Sequence, residues 1–258
     1  MSEFVLAKVE IEETAATIAA EKRHVAAAIE AIKDARMNIE RVIRKDRFFL
    51  TTLEPCDPPE GCAPIIKRMC EASNKAGVGP MAAVAGAIAQ VAMEAMASDG
   101  CKHGWVDNGG DVALLLNEPI TMEIFCEPGS DTAAAFELEA TDGIVGICSS
   151  SGRLGHSISF GNADVALAVC EDAILADALA TAIGNRVNDG GSLGSCFDPF
   201  KGIAGFDGGL AMVDGRTAIF GRVPRLIEVE HSAERLTAHS RMSSSKFTGQ
   251  RPKAEVRT

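Results

Sequence analysis

The chain has 258 residues, with 25 Lys and Arg against 36 Asp and Glu, so its formal net charge is −11. Nucleic-acid phosphates and anionic lipids are bound by concentrated positive surfaces, so this balance argues against both kinds of partner. The hydrophobic fraction of 47% is ordinary for a globular protein and excludes disorder of the whole chain.

The first part of the sequence predicts one strand followed by helices. The predicted elements are a strand at 4–11, a long amphipathic helix at 21–47, a loop at 53–63 and helices at 65–74 and 81–98. The strand rests on strict apolar–polar alternation, and the long helix on apolar residues that recur at threes and fours. Prolines define the loop. Gly79-Pro80 opens the last helix, because proline is favoured at the first helical position.

An uncharged run from Ala76 to Met93 is the most membrane-like stretch. It is at the lower length limit for a membrane span and is rich in Ala and Gly, so we expect a core helix instead. The first residues lack the basic and apolar regions of a signal peptide. We therefore expect a cytoplasmic protein with no membrane partner. The small residues of helix 81–98 also suit close packing on a second subunit, which predicts a homodimer.

The second part of the sequence is rich in strands. The predicted elements are strands at 104–107, 112–116, 120–126, 135–140, 144–148, 157–160 and 164–170, a helix at 172–183, a Gly-rich loop at 189–209 and a hairpin of 209–213 with 217–220. Helices followed by strands, with one later helix, indicate an α+β fold with a mixed or antiparallel sheet. We expect one domain over residues 1–239. Residues 240–258 are rich in Ser, Lys and Arg and predict a basic, mobile tail.

The chain contains eight cysteines and no C-x-x-C pair, so the strongest zinc and redox signatures are absent. Cys56, Cys62 and Cys70 form the only local group, and their spacing matches no familiar ligand pattern. The sequence favours structural thiols over an iron–sulfur or zinc site, which stays open as the alternative.

Two glycine-containing motifs are ambiguous. Residues 77–82 match G-x-G-x-x-A, but a dinucleotide site requires a strand before that motif, so a plain helix start is the favoured interpretation. Residues 107–111 read D-N-G-G-D and bring two carboxylates beside two glycines that permit a close ligand approach. A tight hairpin turn is the favoured alternative there, because N-G is typical of such turns.

Two further segments carry candidate chemistry. Residues 148–156 hold three consecutive hydroxyls and end in His156, so they could hold an anionic group beside a general base, or form a polar loop. Asp177 and Thr181 are four residues apart in a predicted helix and share one face. A carboxylate and a hydroxyl oxygen one turn apart suit a hard cation such as Mg²⁺.

Taken together, D-N-G-G-D at 107–111, S-S-S-G at 149–152 and A-D-A-L-A-T at 176–181 resemble the ApbE-type flavin transferases. The run S-S-S-G followed by H-S-I-S-F-G-N-A-D, at 149–164, is similar to a family of shorter ApbE-like proteins from archaea and mainly anaerobic bacteria. The resemblance implies a T-fold-type α+β architecture with Mg²⁺ and FAD as cofactors. The relatives transfer FMN from FAD to a protein threonine.

The resemblance also implies a set of site residues. Asp177 and Thr181 would be metal ligands, and Gly109, Gly110 and Asp111 would line the nucleotide site. The leading functional hypothesis adds His156 as the catalytic proton carrier, and Ser149, Ser150, Ser151 and Gly152 as cofactor-binding residues that hold a phosphate or an acceptor. The H-x-x-D-P and A-K-G segments of the transferases are not matched: His156 is followed by Ser-Ile-Ser, and residues 85–90 read AGAIAQ.

Three functions therefore follow from the sequence. The leading one is a metal-dependent enzyme of the flavin-transferase type that binds a flavin or nucleotide. The second is a non-catalytic ligand-binding or assembly protein on the same fold. The third is a factor in anaerobic sulfur (sulfide) assimilation, suggested by the organisms of the similar family and by the cysteine count.

Overall fold

A computed structural model of the chain describes residues 3–126, 131–150, 161–230 and 236–237. Five helices are present in these ranges: α1 (Lys22–Lys45), α2 (Phe48–Thr51), α3 (Pro64–Ala76), α4 (Val84–Ser98) and α5 (Ala173–Gly184). Twelve strands accompany them: β1 (Phe4–Ile11), β2 (Thr14–Glu21), β3 (Gly104–Asp107), β4 (Asp111–Leu115), β5 (Ile120–Cys126), β6 (Thr132–Leu138), β7 (Val145–Ser150), β8 (Val165–Cys170), β9 (Phe206–Val213), β10 (Arg216–Gly221), β11 (Arg225–Glu230) and β12 (Leu236–Thr237). The expected α+β class is confirmed.

The strands form two sheets. The larger has eight strands in the order β1-β2-β3-β4-β7-β8-β9-β10, and all of its neighbours are antiparallel. The smaller has the order β11-β6-β5-β12, in which only the β12–β5 pair is parallel. Helices cover one face of the large sheet and the small sheet covers the other, so its central strands are buried on both sides.

The central strand β8 shows how the sequence makes this three-layer arrangement. All six of its residues, V-A-L-A-V-C, are buried. Val165 and Leu167 face the small sheet, whereas Ala166 and Ala168 face the helices. The alanines keep the sheet surface shallow on the helix side, which lets the backbone of α5 approach closely. The same approach occurs at β7, where a side chain at Gly146 would collide with the backbone of Ala173.

Most of the predicted elements are confirmed, with shifts of a few residues at their ends. The helix expected over 81–98 begins instead with a 3₁₀ turn at Pro80–Ala83. The loop expected over 189–209 is wrong at its end, because β9 already begins at Phe206. Strand β2 and strand β11 were not predicted. The strand expected over 157–160 and the tail at 240–258 lie outside the described residues.

The segment Pro80–Ser98 is long and apolar enough to cross a membrane, with a mean hydropathy of 1.4 over its most apolar stretch. Half of that stretch is buried, and α4 packs against α1, α5 and β4. Its small residues are therefore used for packing within the chain. The homodimer, which was predicted from these residues, stays a prediction.

Candidate functional site

The motif at 107–111 forms the tight turn between β3 and β4. Gly109 and Gly110 both have positive φ angles, 74° and 104°, which side chains disfavour. The carboxylate of Asp107 accepts a hydrogen bond from the Gly110 amide at 2.8 Å. The side-chain amide of Asn108 donates to the carbonyl of Ala85 at 3.1 Å, which ties the turn to the start of α4. The hairpin interpretation of this motif is thus confirmed.

Asp177 lies at the point where α5 meets the beginning of α4. Its carboxylate accepts a hydrogen bond from the Gly86 amide at 2.8 Å, and the Ala85 amide adds to this interaction. The first amides of a helix have no partner within the helix, so a carboxylate there is stabilised by hydrogen bonds and by the helix dipole. Asp177 is only 8% exposed. A residue 91 positions away in sequence thus holds one oxygen of this buried carboxylate in place.

Asp111 is the second buried carboxylate of the site. By strand alternation it lies on the same face of β4 as Ala113, which packs among the helices. Its carboxyl group interacts with the thiol of Cys148 and the amide of Ser149, yet its Oδ1 atom accepts no hydrogen bond from any residue in the described ranges. A buried carboxylate oxygen without a partner is costly and indicates a site for an added proton or cation.

Asp111 and Asp177 are buried, so water does little to screen the repulsion between their negative charges. Burial raises the pKa of Asp177 to about 7 despite its backbone hydrogen bonds. Burial also raises the pKa of Asp111 well above its usual value, with further contributions from the nearby charges of Asp177 and Asp107. Burial raises the pKa of Asp107 itself to about 6. A cation between Asp111 and Asp177 would favour the ionised form of both carboxyl groups, because its positive charge offsets the cost of burial and the repulsion between them.

The serine segment begins at the end of β7, beside Asp111. Ser149 donates from its hydroxyl to the carbonyl of Gly110 at 3.1 Å, which ties β7 to the glycine turn. Ser150 is 7% exposed and its hydroxyl has no partner among the described residues. Strand alternation puts Ser150 on the face of Cys148 and the helices, and Ser149 on the other face. Of the two hydroxyls, only that of Ser150 lies on the carboxylate side.

The remaining predicted site residues divide into two groups. Thr181 is on α5, one turn beyond Asp177, and is 9% exposed. Ser151, Gly152 and His156 lie outside the described residues, so their predicted roles stay predictions. Within the described part of the chain, no group of three or more His, Cys, Asp and Glu side chains is arranged to hold a metal ion. A cation here would therefore bind to the two carboxylates and to oxygens from other sources, such as phosphate, hydroxyl or water.

Of the other candidates from the sequence, the G-x-G-x-x-A motif does not join this site, whereas one cysteine, Cys148, lies beside Asp111. Gly77 is the left-handed C-cap of α3, so a helix and not a strand precedes the G-x-G-x-x-A motif. The favoured interpretation of that motif, a helix start, is consistent with this geometry. Seven cysteines in the described ranges carry free thiols, and most of them are buried.

Gly86 is a site residue that the sequence analysis did not single out. A Cβ atom there would lie 2.7 Å from the Cβ of Asp177 and would collide with the carbonyl of Ala173. Gly86 thus lets α4 approach α5 closely enough for its amide to reach the carboxylate. A glycine inside an apolar helix was a usable signal, because glycine costs helix stability unless packing requires it.

The large antiparallel sheet and its helix layer form a class of fold that solved structures share. The chain is similar to a mutant form of the flavin transferase ApbE from Vibrio cholerae, with a TM-score of 0.52 and 12% identity over 85% of this chain and 97% of that one. It is also similar to the apo form of the flavinyl transferase ApbE from Pseudomonas stutzeri, with a TM-score of 0.51 and 10% identity over 89% of this chain and 94% of that one. The fold is therefore that of the ApbE flavin transferases.

Sequence comparisons narrow this class to one family. A family profile described as "AbpE bacteria" matches residues 4–193. A UPF0280 protein of Methanocella arvoryzae is 41% identical over 231 residues, which span 90% of this chain and 94% of that protein. A UPF0280 protein of Methanothrix thermoacetophila is 44% identical over 219 residues, or 83% of this chain and 91% of that protein. The chain belongs to this ApbE-like UPF0280 family, as its motifs indicated.

Proposed function

We propose that this chain binds a flavin or nucleotide together with a divalent cation, Mg²⁺, and acts as an enzyme of the flavin-transferase type with FAD as its ligand. The observation that carries the proposal is the unpartnered Oδ1 of Asp111 beside Asp177, two carboxylates whose pKa values are raised by burial. Carboxylate oxygens are ligands that Mg²⁺ prefers, so the residues present fit the metal. The fold, shared with ApbE flavin transferases, supports the choice of ligand.

The residues have distinct parts in this proposal. Asp111 and Asp177 would hold the cation in their ionised form, while the Gly86 amide fixes the orientation of Asp177. The cation would offset negative charge at a pyrophosphate. Gly109 and Gly110 place no side chain over the turn, and Ser150 offers a hydroxyl on the carboxylate side. Thr181 is the further cation ligand that we propose, and His156 the group that moves a proton.

The test is a titration of metal-stripped protein with FAD, with and without Mg²⁺, followed by flavin fluorescence. We expect binding that requires Mg²⁺, and we expect Asp177→Asn to weaken it at least about 10-fold, because the asparagine keeps an acceptor for Gly86 but loses the charge. Asp142→Asn, at an exposed carboxylate, is the matched control and should bind as the unchanged protein does. Binding that needs neither Mg²⁺ nor the charge of Asp177 would contradict the proposal.

A further inference from the structure

The first strand, β1, forms one edge of the large sheet. It pairs with β2 over eight residues without a break in register, and among the described residues β2 is its only neighbour. A long, regular edge strand presents a row of unpaired backbone groups on which a further strand can pair, so proteins protect such edges with proline, bulges or several lysines. β1 has no proline and no bulge, and Lys8 is its only basic residue. Its edge is therefore open to another strand.

The hairpin of β1 and β2 is held in place at both ends. At its open end, the carbonyl of Glu3 accepts a hydrogen bond from the amide of Lys22 at 2.8 Å. At its turn, Arg36 of α1 forms ion pairs with Glu12 and Glu13. The edge strand thus has a fixed shape before a partner binds, which lowers the entropy cost of association.

The hydrogen bond at Glu3 also determines which backbone groups of β1 are free. In an antiparallel ladder, alternate residues exchange hydrogen bonds with the neighbouring strand. Since Glu3 is bonded to Lys22, the unbroken register makes the odd-numbered residues of β1 the ones that bond to β2. The even-numbered residues therefore turn their N–H and C=O groups away from the sheet. The same residues have exposed side chains, and they are Phe4, Leu6, Lys8 and Glu10.

A second copy of β1 fits this edge in one antiparallel register. Because the free groups belong to even-numbered residues, an even-numbered residue must face an even-numbered one. A register centred on Lys8 or on Glu10 brings like charges together, and one centred on Ala7 gives neither charge an opposite partner. The register centred on Val9 places Lys8 of each copy opposite Glu10 of the other. Neither side chain has an ion-pair partner within the described ranges, so both are free to make these contacts.

The other face of β1 is compatible with the same register. Ala7, Val9 and Ile11 pack on the helix layer and are only partly buried. In the register centred on Val9, this residue faces its own counterpart and Ala7 faces Ile11. Apolar residues thus meet apolar residues on one side of the paired strands, while opposite charges meet on the other.

We propose that β1 is the interface of a two-fold dimer, in which it pairs antiparallel with β1 of a second copy about an axis at Val9. The two eight-stranded sheets then form one continuous sheet of sixteen strands. The interface is isologous, so the contact of Lys8 with Glu10 occurs twice. Helix α4 is not part of it, because its small residues pack within the chain. The dimer does not depend on flavin or metal, so it stands or falls separately from the proposed function.

The experiment measures the molar mass of the full chain by light scattering, at protein concentrations of about 1–100 µM. We expect a dimer that dissociates on dilution. Lys8→Glu should weaken dimerisation at least about 10-fold, because two attractive contacts become repulsive. Adding Glu10→Lys to this variant exchanges the charges of both pairs and should restore the dimer. The matched control is Lys75→Glu, at an exposed lysine of α3, which changes the net charge equally and should leave the dimer intact.

Lys8→Pro is a second variant, whose effect does not depend on an ion pair. Proline removes the outward N–H group of residue 8, which β2 does not use, and edge strands tolerate proline at such positions. We expect a monomer with the circular dichroism spectrum of the unchanged protein. The proposal would be overturned by an unchanged chain that is monomeric over the whole concentration range, by a folded Lys8→Pro protein that still dimerises, or by a double charge variant that stays monomeric.

Amide hydrogen exchange, resolved by residue with NMR, locates the interface. In the dimer, the amide of Glu10 should exchange at least about 10-fold more slowly than in the Lys8→Glu protein, because it bonds to the second copy. The amide of Val9 should be protected in both proteins, since it bonds to β2. Equally fast exchange of the Glu10 amide in both proteins would show that the copies meet at another surface.

Discussion

At the scale of single residues, Asp111 and Asp177 make the stability of the metal-free protein depend on pH. An aspartate in an unfolded chain has a pKa of about 4, whereas burial raises the pKa of Asp177 to about 7 and that of Asp111 well above normal. At pH values between the pKa of the unfolded state and the raised pKa values of the folded state, the folded protein still holds protons that the unfolded chain has released. The free energy of unfolding therefore falls as the pH rises through this range.

Asp111→Asn tests this dependence. The variant removes one titrating carboxyl group and the charge that opposes ionisation of Asp177, so its stability should change less with pH. Urea unfolding of both proteins in a metal chelator at pH 5 and pH 8 gives the measurement. We expect the unchanged protein to lose at least about 1 kcal/mol more than the variant between the two pH values. Equal losses would mean that Asp111 does not titrate in this range.

At the scale of elements, the contact between α4 and α5 depends on one residue without a side chain. Gly86→Ala would normally stabilise a helix by up to about 1 kcal/mol. Here the new Cβ meets the backbone of Ala173 and the Cβ of Asp177, which cannot move without shifting α5. We expect a net loss of about 1–3 kcal/mol in the free energy of unfolding, and weaker Mg²⁺-dependent FAD binding.

The matched control for this substitution is Gly202→Ala. An added Cβ at Gly202 meets nothing within 4 Å, and this glycine is not among those with positive φ. The free energy of unfolding of the Gly202→Ala protein should stay within about 0.5 kcal/mol of that of the unchanged protein, measured by urea unfolding. A Gly86→Ala protein as stable as the control would show that the two helices separate at little cost.

The strands also show which elements of the fold can be predicted from sequence patterns and which cannot. Strand β1 was predictable because its alternation is strict, and β8 because its apolar run is short and ends at polar residues. Strand β2 was not predictable, since T-A-A-T-I-A-A-E is rich in alanine, a helix former, and becomes a strand by pairing with β1 and β3. Long-range pairing overrides local preference in such a segment.

Some features of the candidate site could likewise be predicted from the sequence, and others could not. The shared helix face of Asp177 and Thr181 follows from their spacing alone. The hydrogen bond from Gly86 to Asp177 connects residues that are 91 positions apart in the sequence. The repulsion between Asp111 and Asp177 likewise acts between a strand and a helix that are distant in the sequence. Both arise from the packing of α4 and α5 on the large sheet, and no local pattern encodes them.

At the scale of the whole molecule, the large sheet separates two hydrophobic cores. One core lies between this sheet and the helices and surrounds the carboxylate site. The other lies between the two sheets and contains Phe136 of β6, which is fully buried. Damage to the second core should therefore lower stability without changing the site directly.

Phe136→Ala tests this separation. Removing a fully buried phenylalanine should lower the free energy of unfolding by about 3–5 kcal/mol, because a cavity remains between the sheets. Phe48→Ala is the matched control, since Phe48 is 63% exposed and its loss should change stability by no more than about 0.5 kcal/mol. Under conditions where both variants are folded, we expect them to keep the Mg²⁺-dependent affinity for FAD. A folded Phe136→Ala protein with much weaker FAD binding would show that the small sheet shapes the ligand site through the large sheet.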